Sequence, residues 1–407
     1  MDVFDELIFW AQDRGVELHG VAPHSLPGRG VGIVATKPLK AGDQILKIPT
    51  STLRTLDTAR PEIKDVLPKD TKVHAILAAE LALDKPTSEY SPWNAVMPSR
   101  DSIISSLPLA WDPRLHAYLP KPALALLRKQ QAKFTHDWAA IQQTPFASTD
   151  IPNPPITRQD YLYAWLLVNT RTFYHETPLT RRAPREDRMV LQPVADLFNH
   201  SGKGCAVTST PTHFTITADR AYAMGDEVAI CYGKHHNDFL LVEYGFVLPW
   251  DGGSANRNGG GDGEGEEGQP QQGGGNCWDE VCLDEAVLPA LGAGHRALLE
   301  ERGFLGNYVL DAGTVCYRTQ VALRVLCVTP GQWERLVSEG EDGGEGLQEE
   351  VDRLLLALLR KWRGVVAGKI EEVEGLDVGQ ACQREILCAR WRQIASLVDQ
   401  TIERLEA

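Results

Sequence analysis

The chain has 407 residues, of which 24% are charged and 43% hydrophobic, so it can bury the cores of two or three domains. This composition excludes collagen-like, coiled-coil and globally disordered proteins, and no run approaches the ~20 apolar residues of a membrane-spanning helix. The formal net charge is −14, and two glycine- and acid-rich tracts at 251–276 and 339–350 hold most of the acidic excess. No segment of the chain has the basic composition that a nucleic-acid-binding surface requires.

The first segment, MDVFDELIFWAQDRG, predicts an amphipathic helix, with Phe4, Leu7, Ile8 and Trp10 at helical spacing. Acidic residues stand where a secretory signal would carry basic ones, so we expect a protein of the cytoplasm or the nucleus. In such a reducing compartment its eight cysteines are expected to be buried thiols. None forms a CxxC pair, and no histidine pair follows at zinc-finger spacing, so we expect no metal site.

Segments of strand-like and helix-like pattern follow each other along the first 250 residues. Residues 21–49 predict strands and turns, and VHAILAAELAL at 73–83 predicts a buried helix. Residues 84–188 are helical in their longer pieces, such as ALALLRKQQAKF and DYLYAWLLVNTRTFY. Short strands return from residue 189 in MVLQPVADLF, CAVTST, HFTITADR and EVAICYG. This order predicts a β domain that is interrupted by a helical insertion.

The remainder of the chain is a glycine-rich tract followed by helical patterns. Residues 251–276 contain eleven glycines among 26 residues, which is typical of a flexible linker. Beyond it, apolar residues recur at helical spacing over 354–362 and 387–405. We therefore expect three parts, a domain at 1–250, a tether at 251–276 and a helical domain at 277–407.

A glycine-rich turn, GRGVG at 28–32, leads into a predicted strand. Glycines let a backbone approach a ligand closely because no Cβ stands in the way. A dinucleotide fingerprint requires a strand before the glycines and a helix after them, and a phosphate loop requires GK[ST]. Neither context is present, so both nucleotide sites are excluded, and the motif alone predicts a tight turn.

Two further motifs carry polar side chains at the ends of apolar runs. In ADLFNHS, Asn199 and His200 could serve a purine or amino-acid ligand, or Asn199 could cap its own backbone in a polar turn. The Tyr-Gly steps CYG and EYGF indicate a pocket in which the hydroxyls of Tyr232 and Tyr244 meet an apolar wall. Taken alone, each tyrosine is more typical of a core residue with a satisfied hydroxyl.

The order of these motifs strongly resembles the SET-domain methyltransferases: a glycine loop in a β-hairpin, a helical interruption, ADLFNHS and then GDEVAICYGKHHNDFLLVEYGFV. More narrowly, it resembles the branch of the Rubisco large-subunit methyltransferase and its relatives, which modify non-histone proteins. This resemblance covers nearly the whole chain and implies an α+β fold. A β-rich, knot-like SET domain would be split by a helical insertion at about 84–188 and followed by an all-α C-terminal domain that binds the protein substrate. No cysteine cluster follows the YG segment, which favours the non-histone branch and implies no metal.

The resemblance also implies roles for individual residues. Tyr232 matches the catalytic tyrosine, and Tyr244 matches a tyrosine near the substrate channel. Arg171, in VNTRTFY, matches an arginine that pairs with the carboxylate of S-adenosylmethionine, and relatives often carry an acid at the position of Arg29. The residues expected to bind this cofactor are Arg29, Gly30, Val31, Arg171, Asn199, His200 and Phe246.

The activity that this resemblance implies is S-adenosylmethionine-dependent protein-lysine N-methylation. The enzyme would act as a monomer on a non-histone protein, such as a ribosomal protein or an elongation factor. A smaller group in the branch methylates histidine on actin, so a histidine acceptor stays open. A catalytically inactive SET fold used as a binding module is a third alternative. Asn199, His200 and Tyr232 argue against it, because an inactive protein has no need of the whole set.

Overall fold

The computed structural model describes residues 2–147, 155–249, 275–312, 314–340 and 345–407. Most of the tract at 251–276, expected to be a tether, lies outside the described residues, so its role stays a prediction. Its last residue, Asn276, is buried, and its side-chain amide donates to the carbonyl of His235 at 2.9 Å. The folded part after the tract therefore already includes Asn276.

Among the described residues up to 230, antiparallel strands form three small sheets. Their strand orders are β1–β4–β8–β7, β2–β3–β9 and β5–β6. The strands are β1 (Glu17–Leu18), β2 (Val21–Leu26), β3 (Gly30–Ala35), β4 (Gln44–Pro49), β5 (Thr172–Tyr174), β6 (Met189–Leu191), β7 (His200–Ser209), β8 (His213–Thr217) and β9 (Glu227–Val228). Two of the sheets join strands from before and after the interruption, since β4 pairs with β8 and β3 with β9.

Every element described between β4 and β5 is helical, which confirms the helical interruption. It begins with α2, before the expected start at about 84, because the helix predicted at 73–83 belongs to it. The helices up to residue 244 are α1 (Val3–Asp13), α2 (Pro61–Lys64), α3 (Val73–Ala82), α4 (Ser91–Asn94), α5 (Arg100–Ser106), α6 (Lys121–Gln142), α7 (Arg158–Arg171) and α8 (Asn237–Tyr244). The amphipathic N-terminal helix is α1, which buries Leu7 and Trp10.

The C-terminal region is helical, as expected, but it also contains a two-stranded sheet. Its strands, β10 (Glu280–Cys282) and β11 (Val309–Asp311), pair antiparallel and are too short for a periodic pattern to predict. The helices are α9 (Asp284–Val287), α10 (Ala293–Glu301), α11 (Tyr317–Arg324), α12 (Pro330–Glu339), α13 (Glu345–Glu374) and α14 (Ala381–Glu406). Among the described helices none is long and apolar enough to cross a membrane.

The described residues form two hydrophobic cores, and these cores do not divide at the glycine-rich tract. The first core gathers α1, the strands and most of the insertion. The second gathers the C-terminal helices together with Leu115 and Leu127 of the insertion and Leu241 and Val242 of α8. The C-terminal region therefore packs directly on elements of the first 250 residues.

The eight cysteines are free thiols, but not all of them are buried. Cys277 and Cys382 are exposed, which corrects the expectation of buried thiols throughout. Cys277 directly follows the glycine-rich tract and Cys382 lies in the first turn of α14, so both stand at the ends of elements rather than inside a core.

One backbone crossing brings the two halves of the split domain together. The amide of Ile230 donates to the carbonyl of Asn199 at 3.0 Å, and the amide of Cys205 donates to the carbonyl of Ala229 at 2.9 Å. A Cβ on Gly204 would lie 2.7 Å from the Ala229 oxygen and 2.9 Å from the Ile230 Cα, so only glycine fits between these backbones. We call this crossing, formed by residues 199–205 and 229–230, the backbone clamp.

A buried ion cluster fastens α14 to α8. The guanidinium of Arg390 is fully buried and donates to Asp238 and Asp279, each at 2.7 Å. Its third contact is the carbonyl of Glu280 at 3.1 Å. Burial of an ion pair requires nearly complete pairing, and here both carboxylates contact one cation. The cluster fixes the C-terminal region against the helix that follows Tyr232.

Replacing Gly204 with Ala should destabilise the protein. The added Cβ meets backbone rather than a mobile side chain, and such overpacking costs about 1–3 kcal/mol of unfolding free energy. Gly364→Ala is the matched control, since Gly364 lies in α13 with open space around it, and there alanine should stabilise by up to about 1 kcal/mol. Urea unfolding measures both changes. Equal stability of the Gly204 variant and the parent would contradict the clamp.

Arg390→Met should be strongly destabilising, because it leaves two buried carboxylates without their cation. Breaking such a pair costs about 3–5 kcal/mol. Arg392→Met, two residues away, removes an exposed pair with Glu374 and should cost about 1 kcal/mol or less. Thermal unfolding of the two variants distinguishes them. A similar small shift for both would mean that the cluster does not hold the two regions together.

Candidate functional site

The glycine-rich turn forms the tip of the β2–β3 hairpin. The amide of Arg29 donates to the carbonyl of Leu26 at 3.0 Å, and Gly28 and Gly30 both have φ of 72°. No heavy atom beyond their neighbours lies within 4 Å of a Cβ built on either glycine, so the tip backbone is open. Val31 packs against the first core. The tight turn predicted from the sequence is present, and it leaves backbone accessible to a ligand.

The hairpin tip contacts Asn199 through an acidic residue of β9. Glu227 pairs through one carboxylate oxygen with the guanidinium of Arg29 and accepts from Asn199 Nδ2 through the other at 2.8 Å. Its side chain is only 19% exposed. Two of the residues expected to bind the cofactor, far apart in sequence, are therefore joined by a third that the sequence analysis did not select.

A strained turn presents Asp196 to the interior. Val194 has φ of 67°, a region that β-branched residues rarely adopt, and the amide of Ala195 donates to the carbonyl of Pro193 at 2.8 Å. Strain of this kind persists where the surrounding structure imposes it and is concentrated at functional sites. The turn directs the buried carboxylate of Asp196 towards Trp93, whose Nε1 donates to it at 3.1 Å.

Arg171, at the end of α7, lies beside this aspartate. Its Nη1 donates to the backbone carbonyl of Asp196 and lies 3.6 Å from the carboxylate. Burial raises the pKa of Asp196 to about 6, although the guanidinium of Arg171 acts in the opposite direction. The structure thus gives Arg171 a protein carboxylate as neighbour, and its pairing with a cofactor carboxylate stays a prediction.

His200 is held by Tyr232, which lies two residues beyond the clamp. Its Nδ1 accepts from the backbone amide of Tyr232 at 3.0 Å, so the ring proton is on Nε2. Burial, assisted by His235, lowers the pKa of His200 to about 4, so the ring is neutral near pH 7. The clamp therefore fixes both the position and the tautomer of this histidine.

Four predicted residues form one aromatic cluster. The ring of Tyr232 lies 5.0 Å from those of His200 and Tyr244, and Phe246 lies 5.9 Å from His200 and 6.2 Å from Tyr244. Gly245, with φ of 82°, ends α8 between Tyr244 and Phe246, and the turn lets both rings reach the cluster. The Tyr-Gly-Phe motif is thus a helix end.

Both tyrosines of the cluster keep their protons. The hydroxyl of Tyr232 donates to the carbonyl of Phe198 at 2.6 Å. Burial raises the pKa of Tyr232 well above its usual value and that of Tyr244 to about 12. Phenols of this kind orient a neighbouring group by hydrogen bonding and do not act as bases near neutral pH.

Three buried polar atoms at the site have no hydrogen-bond partner in the protein. They are Nε of Arg171, Nε2 of His200 and Oδ1 of Asp196. Leaving a buried donor or acceptor unpaired costs about 1–3 kcal/mol, so such atoms mark places where a polar ligand fits. Two donors and one acceptor suit a ligand with both carboxylate and amino groups, as the amino-acid part of S-adenosylmethionine has. The residues present therefore fit the expected cofactor.

Three contributors to this site could not be recognised from the sequence. Asp196 stands inside the quoted motif ADLFNHS, but nothing in its pattern distinguishes it from a turn residue. Glu227 lies in GDEV, which predicts only a turn and a strand. Phe198 contributes its backbone carbonyl, which no sequence signal reports. Among the described residues, no group of three or more potential ligands is arranged to hold a metal ion.

Comparison with known families agrees with this geometry. A sequence model of the SET domain matches residues 30–233, which begin at Gly30 in the hairpin tip and include Arg171, Asn199, His200 and Tyr232. The SET domain of LSMT bound to methyl-lysine and AdoHcy superposes with a TM-score of 0.62 at 16% identity, covering 100% of this chain and 92% of that one. Rubisco LSMT bound to AdoMet gives a TM-score of 0.61 at 15% identity. These likenesses show a common fold and confirm the predicted resemblance.

Curated relatives in several organisms are similar over most of the chain. Ribosomal lysine N-methyltransferase set11 of Schizosaccharomyces pombe is 24% identical over 328 residues, which are 80% of this chain and 75% of that protein. SET domain-containing protein 4 of Mus musculus is 28% identical over 399 residues, 92% of this chain and 82% of that protein. Actin-histidine N-methyltransferase of Gallus gallus is 25% identical over 278 residues, 61% of this chain and 43% of that protein.

The raised pKa of Asp196 makes stability depend on pH. Its native pKa is about 6 and the usual value 3.8, so its contribution is fully present below about pH 4 and is lost as the pH rises through 6. At 1.36 kcal/mol per unit, the loss is about 3 kcal/mol at most. Asp196→Asn should remove this slope, whereas Asp57→Asn at an exposed carboxyl should keep it. Chemical unfolding between pH 4 and 7 tests this, and parallel profiles for Asp196→Asn and the parent would contradict it.

Proposed function

This chain belongs to the SET-domain family, and we propose that it acts as a protein-lysine N-methyltransferase on a non-histone protein. Without regard to the acceptor residue, its activity is that of an S-adenosylmethionine-dependent protein methyltransferase. The observation that supports the site assignment best is the backbone clamp, because it sets the ring of Tyr232 against His200 beside unpartnered buried donors.

S-adenosylmethionine is the cofactor, and it supplies a methyl group carried on a positively charged sulfur. We assign Arg171, Asn199 and His200 to hold it. Nε of Arg171 and Nε2 of His200 are buried donors without a partner, and Asn199 offers an amide beside the open hairpin tip. Gly30 leaves the tip backbone free to contact the ligand, and Phe246 provides an aromatic surface next to His200.

Tyr232 and Tyr244 are assigned to the acceptor side. An ammonium has no lone pair, so the acceptor lysine has to arrive neutral, although its usual pKa is ~10.4. A desolvated aromatic surface disfavours the charged form and so favours the neutral amine. The Tyr232 hydroxyl already donates to Phe198, so its oxygen can accept from an N–H of the amine, and this leaves the amine lone pair free and in line for displacement.

The relatives support lysine as the acceptor and a ribosomal protein as the target. Two of them, from Schizosaccharomyces pombe and Saccharomyces cerevisiae, are named ribosomal lysine N-methyltransferases and align with 80% and 71% of this chain. The actin-histidine methyltransferases align with about 61%. A ribosomal target would be met in the cytoplasm or the nucleus. Histidine stays the alternative acceptor, because the actin-histidine methyltransferases also align with this chain.

We assign recognition of the protein substrate to the C-terminal helical region. It contributes none of the residues expected to bind the cofactor, yet it is fixed to α8, which ends at Tyr244, through Arg390. Deleting it would expose Leu241 and Val242 of α8, which pack in the shared second core, and would remove the cation that pairs with Asp238, so truncation would damage the fold together with any docking surface.

Tyr232→Phe should bind cofactor as the parent does and transfer methyl groups at a rate about 10²–10⁴ times lower. The ring still packs in the cluster, but the orienting hydroxyl is lost. Radiolabelled methyl transfer to ribosomal proteins from a strain lacking the gene measures the rate, and mass spectrometry of the product identifies the methylated residue, which should be lysine.

Tyr222→Phe is the control variant, because it removes a phenol hydroxyl at a position outside the proposed site. Its hydroxyl donates to Asp219 at 2.6 Å, outside the aromatic cluster. A Tyr232→Phe enzyme that turns over at the parent rate would refute the catalytic assignment. Methyl-histidine at the modified position would refute the lysine assignment and leave the methyltransferase activity intact.

A further inference from the structure

Glu227 connects three segments that the proposed site requires: its own strand β9, the hairpin tip and the segment at Asn199. One carboxylate oxygen accepts from Asn199 Nδ2 at 2.8 Å, and the other pairs with the guanidinium of Arg29. A Cβ on Gly32 would lie 2.8 Å from Asn199 Nδ2 and 3.2 Å from Glu227 Oε1, so the hairpin strand passes directly over this contact. The pair is therefore enclosed by backbone on one side and by Arg29 on another.

The chemistry of this contact specifies which way the amide of Asn199 points. An amide carries a donor end and an acceptor end, which differ in hydrogen bonding and hardly in shape. A carboxylate only accepts hydrogen bonds, so it can bind the amino end of Asn199 and not the carbonyl end. The backbone of Asn199 is fixed independently, since its carbonyl accepts from Ile230 in the clamp. The side-chain amide of Asn199 could still flip, and the hydrogen bond to Glu227 selects one of the two orientations.

We propose that Glu227 is a positioning residue for cofactor binding, acting through Asn199, and that Arg29 holds Glu227 in place. This inference rests on the proposed function. With its side-chain amino group held by Glu227, Asn199 presents its side-chain carbonyl oxygen Oδ1 to the ligand. This oxygen only accepts hydrogen bonds, so it selects a ligand group that donates one. A glutamine at 227 could bind either end of the amide, and the orientation of Asn199 would no longer be specified.

The test is a set of affinities for S-adenosylmethionine and S-adenosylhomocysteine, measured by calorimetry on the full chain. Glu227→Gln should weaken both about tenfold, the loss expected for one well-placed hydrogen bond. Asn199→Ala should weaken them at least as much. The double variant should bind within twofold of Asn199→Ala, because Glu227 has no amide left to orient. Glu17→Gln, at an exposed pair with Lys47, is the matched control and should bind as the parent does.

A purely structural role for Glu227 would give a different pattern. It would lower the thermal unfolding temperature of the ligand-free protein, and the losses of affinity would multiply in the double variant. Either multiplied losses or parent-like binding by Glu227→Gln would overturn the inference and leave the proposed function standing. If the parent protein bound neither compound, the proposed function would fail and this inference with it.

Discussion

The site depends on one backbone crossing, in which residues 229–230 are hydrogen-bonded between Asn199 and Cys205. These segments are separated in sequence by β8 and its turns, so the contact exists only after the domain has folded. The crossing brings the amide of Tyr232 within 3.0 Å of His200 Nδ1 and so fixes ring position and tautomer together. The crossing requires glycine at position 204, because a side chain there would separate the two backbones.

Burial sets the protonation states of the site residues that this crossing brings together. The pKa of Tyr244 is raised to about 12 and that of His200 is lowered to about 4, both because burial disfavours the charged form. The cluster is accordingly neutral, whereas the buried carboxyl of Asp196 has a pKa of about 6. A neutral, aromatic surface beside the partly buried guanidinium of Arg171 suits a reaction in which an amine reacts without its proton and alignment matters most.

Much of the architecture could be predicted, because long periodic patterns and ordered motifs report local structure directly. The stripe at 387–405 became α14, and the helical interruption and the cluster around Tyr232 follow from the motif order. Contacts between residues that are distant in sequence produce no such pattern. Glu227 looked like a strand residue because its partners, Arg29 and Asn199, lie far away in sequence. The shared second core was missed for the same reason, since Leu115 and Leu241 meet the C-terminal helices only in three dimensions.

The central claim is that the residues assembled by the backbone clamp bind S-adenosylmethionine. A crystal structure of the protein grown with S-adenosylhomocysteine, which lacks the transferable methyl group, tests this most directly. The account predicts the ligand between the hairpin tip and the aromatic cluster, with hydrogen bonds from Arg171 Nε and His200 Nε2, the donors that have no partner within the protein. A ligand bound elsewhere, or one that leaves both donors unpaired, would contradict it.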